Sequence, residues 1–260
     1  MNEFKSEMQI VDDPKFDFQR ETNFAYYPYV RLNPKELPGI IATYTKRVPI
    51  HLRDNVTGII LPQHINLYSS QTLTEDEYEN KKHMLSLEGY NPSLSTEMIQ
   101  KFVNYSSLKF QCVACAENLN QSLREVLGNY YRFIGENNRG EILRTDFSGL
   151  RDMLSPVIKK DKRLHSIPYF DDYDKRKLYT STFFNFIADR NILTHGILYL
   201  NTDDNQMYLN YIVKEKKIDE WAVLTNEFLQ SFFWVSEQLR NPPSAISDHI
   251  NQLRKVQKQS

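Results

Sequence analysis

The feature that most constrains the fold of this chain is a change in hydrophobic period near residue 95. From there to about residue 240, apolar residues recur at steps of three and four, the spacing of amphipathic helices. Helices are predicted at about 96–134, 141–159, 173–193 and 218–239. The first has an apolar face made of Cys112, Ala116, Leu119, Leu123, Val126, Tyr130 and Ile134. Four such faces bury each other best as a bundle.

Strand patterns lie between and before these helices. Residues 197–200 and 207–213 are β-favouring runs joined by a polar turn, which predicts a β-hairpin between the third and fourth helices. Five prolines divide residues 24–68 into short β-favouring pieces at 40–44, 48–52 and 56–61. Thr74 and Glu77 form a capping-box pattern that opens a helix running to about Leu87. Pro156 is expected to end or kink the second bundle helix, and Pro242 with Pro243 to stop the fourth.

The sequence therefore predicts a mainly α fold. Its centre is a four-helix bundle with a β-hairpin between helices three and four, preceded by a smaller α+β N-terminal region. The expected domains are residues 1–94, of no assignable role, a helical domain at 95–242 and a polar tail at 243–260.

Composition excludes several classes of function. Of the 260 residues, 32 are Lys or Arg and 33 are Asp or Glu, so the net charge is −1 and a generally basic coat for nucleic acid is excluded. No apolar run reaches the roughly 18 residues of a membrane span. The polar N-terminus lacks a signal-peptide pattern, and two cysteines do not make a disulfide framework. These features predict a cytoplasmic, reduced protein with no membrane partner.

Familiar cofactor and metal motifs are absent from the sequence. There is no phosphate-binding loop, dinucleotide fingerprint, nucleophile elbow or zincin motif. Cys112 and Cys115 form a lone C-x-x-C among apolar helix residues, which favours core packing over zinc. The pairs at 171–172 and 203–204 are aspartates in polar turns, where Asp bonds the backbone. Neither a cofactor nor a metal is expected.

The most informative segment is ADRNILTHG, residues 188–196. Arg190 follows Phe186 by four residues, so it projects from the packed face of the third helix and needs an anion or acceptors there. Gly196 is placed just past the helix end. His195 is then the helix C-terminus, where the dipole favours a protonated imidazole. Asn191 adds an amide beside the arginine.

Arg190, Asn191 and His195 have a natural use on RNA. A guanidinium holds a phosphate and offsets charge in a transition state, while imidazole moves a proton near neutral pH. The 2′-OH of RNA is a built-in nucleophile, so no metal is required. The alternative is structural: Arg190 pairs with an acidic residue such as Glu117, and His195 is only a helix cap.

The segment RNILTHG resembles the motif of the HEPN superfamily, the higher eukaryotes and prokaryotes nucleotide-binding domains. That motif is an Arg, four to six residues and then a His, often with Asn, Asp or His directly after the Arg. Here four residues separate Arg190 from His195, and Asn191 fills the polar position. The predicted bundle also fits that family. The resemblance covers about residues 95–240.

The resemblance implies a metal-independent endoribonuclease that works as a homodimer. In that family the 2′-OH attacks the adjacent phosphate and leaves 2′,3′-cyclic phosphate and 5′-OH ends. Carried over, His195 is the acid/base group, Arg190 stabilises the phosphorane, and Asn191 orients the phosphate or the His. Many such proteins are toxins or antiphage effectors restrained by an antitoxin or regulatory protein. The alternative is a catalytically silent helical module that binds RNA or a protein partner.

Basic residues before the third helix are candidates for contacts with the RNA backbone. They are Lys159, Lys160, Lys162, Arg163, Lys175, Arg176 and Lys177. The alternative is that these charges simply face water. The last three begin the helix that His195 ends, so they would line the same cleft only if a partner protomer brings them there. Lys214, Lys216 and Lys217 are a second basic group.

Overall fold

The structure is a computed structural model that describes residues 30–34, 42–53, 60–71, 73–77, 93–213 and 218–257. Its helices are α1 (Thr96–Phe133), α2 (Arg139–Arg144), α3 (Phe147–Lys160), a 3₁₀ helix (Lys162–Ser166), α4 (Tyr173–His195) and α5 (Asn226–Gln257). Its strands are β1 (Ala42–Arg53), β2 (Ile60–Gln71), β3 (Ile197–Asn201), β4 (Met207–Val213) and β5 (Ile218–Val223). No helix in the described ranges combines the length and hydropathy needed to cross a membrane.

The chain divides into two compact units, each built from separate stretches of sequence. The first unit comprises Met1–Arg31, Ala114–Arg190 and Gln230–Ser260, and the second comprises Leu32–Val113 and Asn191–Leu229. These stretches do not follow the predicted boundaries at residues 94 and 242. The division into residues 1–94, 95–242 and 243–260 as separate domains stays a prediction.

A five-stranded mixed sheet in the second unit makes the predicted fold class wrong. The strand order is β1-β2-β3-β4-β5, with antiparallel pairs except between β2 and β3. The parallel pair aligns Leu67 with Leu200 and Tyr68 with Asn201. The predicted hairpin exists as β3 and β4, but it continues the sheet of the N-terminal strands. The molecule is therefore not a four-helix bundle with an isolated hairpin.

The N-terminal strands are longer than the proline pattern predicts. β1 and β2 each have 12 residues and pair along their whole length. Pro49 lies within β1 opposite His64. An edge strand tolerates proline because one of its edges needs no donors. The predicted strand at 56–61 falls largely outside the described residues.

The prediction of the fourth helix is wrong at both ends. Residues 218–223 form β5, whose Trp221 ring stacks on Tyr68 at a centroid distance of 4.5 Å. The helix begins after Thr225, whose hydroxyl accepts a hydrogen bond from the Phe228 amide at 3.1 Å. It then continues through Pro242 and Pro243 to Gln257. Most of the predicted polar tail is therefore helical.

The second predicted helix is two helices. The first ends at Arg144, and Asp146 caps the next, because its side chain accepts a hydrogen bond from the Gly149 amide at 2.7 Å. The resulting α3 continues past Pro156 to Lys160.

Two local predictions are confirmed. The first helix, α1, spans almost the expected residues. Thr74 and Glu77 exchange capping-box hydrogen bonds: each backbone amide donates to the other residue's side chain, at 2.9 and 3.2 Å. The helix predicted beyond Glu77 lies outside the described residues.

The core of the first unit is aromatic. Phe183 contacts Phe147 and Tyr179 edge-on at centroid distances of 5.6 and 5.7 Å. Phe186 stacks on Phe232 at 4.4 Å. All five side chains are buried, as the helical period predicts for the face of α4. This packing fixes the rotation of α4 about its axis within that unit, and with it the direction of the arginine that follows Phe186 by four residues.

Candidate functional site

The last two turns of α4 carry the three predicted catalytic residues. His195 is the final residue of the helix, and Arg190 and Asn191 lie on the turn before it. Arg190 ends its stretch of the first unit, and Asn191 begins a stretch of the second. Arg190 and the pair of Asn191 and His195 therefore belong to different units.

Arg190 is held by the first unit. Its guanidinium forms an ion pair and hydrogen bond with the carboxylate of Glu117 on α1. The guanidinium carbon also lies 6.0 Å from the centre of the Phe147 ring, at the limit of a cation–π contact. Only 18% of the Arg190 side chain is exposed, against 44% for Glu117. The structural alternative raised by the sequence, pairing with Glu117, is thus observed.

Glu117 is itself well supplied with donors. Burial acts to raise the pKa of Glu117, but hydrogen bonds from Arg190 and Asn120 and nearby guanidinium charges outweigh it and hold the pKa below its ordinary value. The Asn120 amide lies 3.2 Å from the carboxylate. At neutral pH the Glu117 carboxylate is therefore ionised and forms an ion pair with Arg190.

Asn191 and His195 share one exposed face of α4. They are four residues apart, the spacing of neighbours on a helix surface, and both are exposed. Arg190 precedes His195 by five residues and belongs to a different, half-buried face. The helix therefore brings Asn191 and His195 together within the second unit, whereas Arg190 contacts Glu117 within the first.

Gly196 ends the helix as predicted, for a steric reason. Its amide donates to the Ile192 carbonyl at 2.7 Å. A Cβ added at Gly196 would lie 2.6 Å from that carbonyl oxygen, closer than real Cβ contacts. Only glycine fits without a backbone shift, so Gly196 fixes the exit of the chain directly after His195.

One charged pair near Arg190 is missed by sequence reasoning. Asp189 is fully buried, and its carboxylate accepts a hydrogen bond from Arg31 at 3.4 Å. Arg31 also donates to Asn185 at 3.0 Å. Asp189 follows Phe186 by three residues, so the helical period indicates a buried carboxylate that needs a donor. Nothing in the sequence identifies Arg31 as that donor.

The seven basic candidates for RNA contact fall into two groups. Three are engaged locally: Arg163 with Asp161, Lys175 with Asp171, and Arg176 with the Phe170 carbonyl. The other four, Lys159, Lys160, Lys162 and Lys177, are exposed. The second basic group, Lys214, Lys216 and Lys217, lies outside the described residues.

The remaining candidates serve the fold. Cys112 is buried and Cys115 half-buried, both as free thiols. Asp203 accepts a hydrogen bond from Ser69 at 2.8 Å, and Asp204 accepts one from Tyr208 at 2.7 Å. Within the described part of the chain, no three His, Cys, Asp or Glu side chains form a group suited to a metal ion.

Comparison with known proteins does not indicate a function, so a proposed function depends on the residues of the site. No protein-family model, curated protein or solved structure matches this chain.

Proposed function

We propose that this protein is a metal-independent endoribonuclease of the HEPN type, with His195 as its acid/base group. The observation that carries the proposal is the exposed pair of Asn191 and His195 at the end of α4, directly after an arginine. An exposed imidazole at a helix C-terminus is accessible to substrate, because it is not buried in the core. A neighbouring amide gives it a hydrogen-bonding companion for a phosphate oxygen.

The proposed reaction is an internal transfer. The 2′-oxygen of one nucleotide attacks the adjacent phosphorus, and the bond from phosphorus to the 5′-oxygen breaks. One imidazole accepts the 2′-OH proton, and a second, from His195 of the partner subunit, donates a proton to the departing 5′-oxygen. The products are a 2′,3′-cyclic phosphate and a 5′-OH. No proton or electron is left unassigned.

Arg190 is proposed to stabilise the transition state electrostatically. Its guanidinium would offset the extra negative charge of the phosphorane, which exists only in the transition state. The contact with Glu117 supports the role by holding the guanidinium in one orientation before RNA binds. The phosphate would then share Arg190 with Glu117, since a guanidinium has five N–H donors.

The biological setting of the proposal comes from the resemblance and the sequence. A dimer is required to bring two imidazoles to one phosphate. The enzyme would act in the cytoplasm as a toxin or antiphage effector, restrained by an antitoxin or regulatory protein. Expression in cells provides a direct check, because wild type should slow growth and His195→Ala should not.

A second candidate is a catalytically silent module that binds RNA or a protein partner. This second candidate is favoured by the contacts of Arg190 with Glu117 and Phe147, because an arginine with a purely structural role would make such contacts. In that case substitution of His195 leaves function intact, whereas changes to exposed basic residues such as Lys159 and Lys160 weaken binding.

RNA cleavage by the pure protein in EDTA separates the two candidates. Wild type is compared with His195→Ala, Arg190→Ala and His51→Ala, the last a matched change at an exposed histidine on β1. Loss of the acid/base group should slow cleavage about 10²- to 10⁴-fold, and loss of Arg190 about 10²- to 10³-fold. His51→Ala should match wild type. Equal cleavage by wild type and His195→Ala would reject the nuclease assignment.

A further inference from the structure

A polar groove of about 710 Å³ lies along α1 and α2 in the first unit. Its volume is in the range of about 300–1,000 Å³ typical of ligand sites. Gly128 lies in the middle of its α1 wall, and a Cβ added there would meet nothing within 4 Å. The groove is therefore open over Gly128, and no neighbouring side chain fills that space.

The groove begins next to the ion pair of Arg190. Its α1 wall follows a stripe at steps of three and four that includes Gln121, Gly128 and Arg132. Glu117, which binds Arg190, precedes Gln121 by four residues on the same face of α1. Four residues of helix correspond to about 6 Å. The groove therefore extends along α1 directly from the position proposed to bind the scissile phosphate.

One arginine builds the groove and two remain available in it. Arg124 donates to the carbonyls of Ile142 and Thr145, which ties the α2 region to α1. Arg132 and Arg139 are both exposed, and no described carboxylate lies within ion-pair distance of either. Guanidinium groups at the wall of an open polar groove are able to bind phosphate through charge-assisted hydrogen bonds.

The other lining groups suit nucleobases. Tyr131 is half-buried, and its ring is fixed by an edge-on contact with Tyr130 at 5.5 Å. Amide side chains line the groove at Asn129 and Asn137, and amides bond base edges. Two carboxylates also line the groove: Glu125 accepts a hydrogen bond from the Gln121 side chain, and Glu136 accepts one from the Asn138 side chain. The exocyclic amine of a base is a donor that can replace either of these amides.

We propose that this groove binds a single-stranded segment of the RNA substrate beside the scissile phosphate. Tyr131 stacks on a base, and Arg132 and Arg139 bind phosphates, the combination of aromatic platform and basic groove that single strands require. The stripe from Gln121 to Arg132 spans about 16 Å of helix, more than one nucleotide at the roughly 3.4 Å spacing of stacked bases. The inference rests on the proposed function, because it takes the substrate to be RNA.

Two substitutions at Gly128 test the groove with a built-in control. Gly128→Ala adds a methyl group to open space, whereas Gly128→Trp fills the groove with an indole. The probe is a fluorescent single-stranded RNA with 2′-O-methyl groups, which cannot supply the nucleophile, and the readout is anisotropy in EDTA. Gly128→Ala should bind as wild type does, and Gly128→Trp about tenfold or more weaker.

A second set of variants keeps the test valid if Gly128→Trp misfolds. Tyr131→Ala should weaken binding about 5- to 100-fold through lost stacking. Arg132→Ala with Arg139→Ala should reduce the slope of log affinity against log salt by about 1.4, at roughly 0.7 for each phosphate contact on a single strand. Arg144→Ala is the matched control, since Arg144 is exposed on α2 outside the groove.

The outcomes separate this inference from the proposed function. Equal RNA binding by wild type and all groove variants, or no RNA binding by wild type, overturns the groove as an RNA site. Binding of AMP as tight as that of the oligonucleotide, lost in Gly128→Trp, also overturns it in favour of a free nucleotide. Loss of binding in the groove variants without cleavage of unmodified RNA by wild type supports the groove and contradicts the nuclease.

Discussion

Arg190 forms an ion pair with Glu117 on α1. A substitution at Glu117 therefore tests whether this ion pair orients the Arg190 guanidinium or stabilises the fold. The pair is partly exposed, with 18% of Arg190 and 44% of Glu117 accessible. Partly exposed ion pairs contribute at most about 1 kcal/mol to folding. A change at Glu117 should therefore affect the orientation of the guanidinium far more than the stability of the fold.

Glu117→Gln is predicted to lower kcat for RNA cleavage about tenfold while the free energy of unfolding falls by no more than about 1 kcal/mol. The neutral amide keeps the shape of the side chain but no longer fixes the guanidinium by charge. Steady-state kinetics and urea denaturation on the same preparations measure the two effects. Glu237→Gln, at an exposed glutamate of α5, is the control. An unchanged kcat in Glu117→Gln would contradict the positioning role.

At the residue scale, the sequence anticipates what local pattern determines. The end of α4 at His195 and the glycine after it follow from helix-end chemistry. Pairing of Arg190 with Glu117 is one of two interpretations that the sequence allows, because helical spacing alone does not choose between a phosphate and a carboxylate. The Arg31 and Asp189 pair joins residues 158 positions apart, so no local rule predicts it.

At the scale of elements, α5 shows why a proline pair need not end a helix. Pro243 has no N–H, so the Leu239 carbonyl four residues earlier lacks its helical donor. The Tyr179 hydroxyl of α4 donates to that carbonyl at 3.3 Å. Tyr179 and Leu239 are both buried, so the hydroxyl satisfies an acceptor that would otherwise be desolvated without a bond.

Tyr179→Phe is predicted to destabilise the protein by about 1–2 kcal/mol, because it leaves the Leu239 carbonyl buried without a donor. In a Pro243→Ala background the same change should cost about 1 kcal/mol less, since the alanine introduced there can supply the helical N–H. A double-mutant cycle by urea denaturation measures this coupling. An identical cost of Tyr179→Phe in both backgrounds would show that the carbonyl is not the relevant partner.

Long amphipathic helices are the part of the fold that sequence predicts best. The faces of α1 and α4 are buried as their periods indicate. β5 is mistaken for helix because Ile218 and Trp221 are three residues apart, a spacing that puts both on one face of a helix, whereas in the strand they lie on opposite faces. The continuation of α5 past Pro243 depends on Tyr179, which lies 60 residues before Leu239 along the chain.

At the scale of the whole molecule, several tyrosines make the fold sensitive to alkali. Burial, followed by the hydrogen bond to Asp161, raises the pKa of Tyr130 to about 12. Burial also raises the pKa of Tyr179, and burial with the Asp204 hydrogen bond raises that of Tyr208. A raised native pKa means that the stabilisation is complete below the unfolded value of about 10 and is lost as pH rises through the native value.

The free energy of unfolding should therefore decline between about pH 10 and pH 12. Tyr130→Phe should show a shallower decline, because one of the titrating groups is gone. Urea denaturation at a series of pH values measures the slope, and Tyr173→Phe, at an exposed tyrosine, serves as the control. Equal slopes in wild type and Tyr130→Phe would mean that Tyr130 titrates alike in the folded and unfolded chains.

The sheet is the part of the fold that sequence reasoning could not assemble. Its only parallel pair within the described strands aligns Leu67 with Leu200, 133 residues apart along the chain. β1, β3 and β4 are visible locally as β-favouring runs, but pairing over such a separation leaves no local pattern. The sequence therefore indicates a separate N-terminal region, although its strands share one sheet with the hairpin.

A dimer with two histidines at one phosphate predicts that one inactive protomer disables the whole dimer. Wild type mixed with an excess of His195→Ala, under conditions that exchange protomers, should lose activity as mixed dimers form, because each mixed dimer has only one imidazole. Light scattering at micromolar concentration should give twice the mass of the chain. A monomer by light scattering, or mixed dimers as active as wild type, would rule out the composite site.

His195 is proposed to drive attack by the 2′-OH without a metal, and the chemical ends of the cleavage products report this mechanism. Wild-type protein is incubated with a labelled RNA in EDTA, and the fragments are identified by mass spectrometry. The proposed mechanism predicts 2′,3′-cyclic phosphate and 5′-OH ends, and no cleavage where a 2′-deoxy nucleotide replaces the one that attacks. Fragments with 3′-OH and 5′-phosphate ends, or cleavage at the 2′-deoxy position, would contradict it.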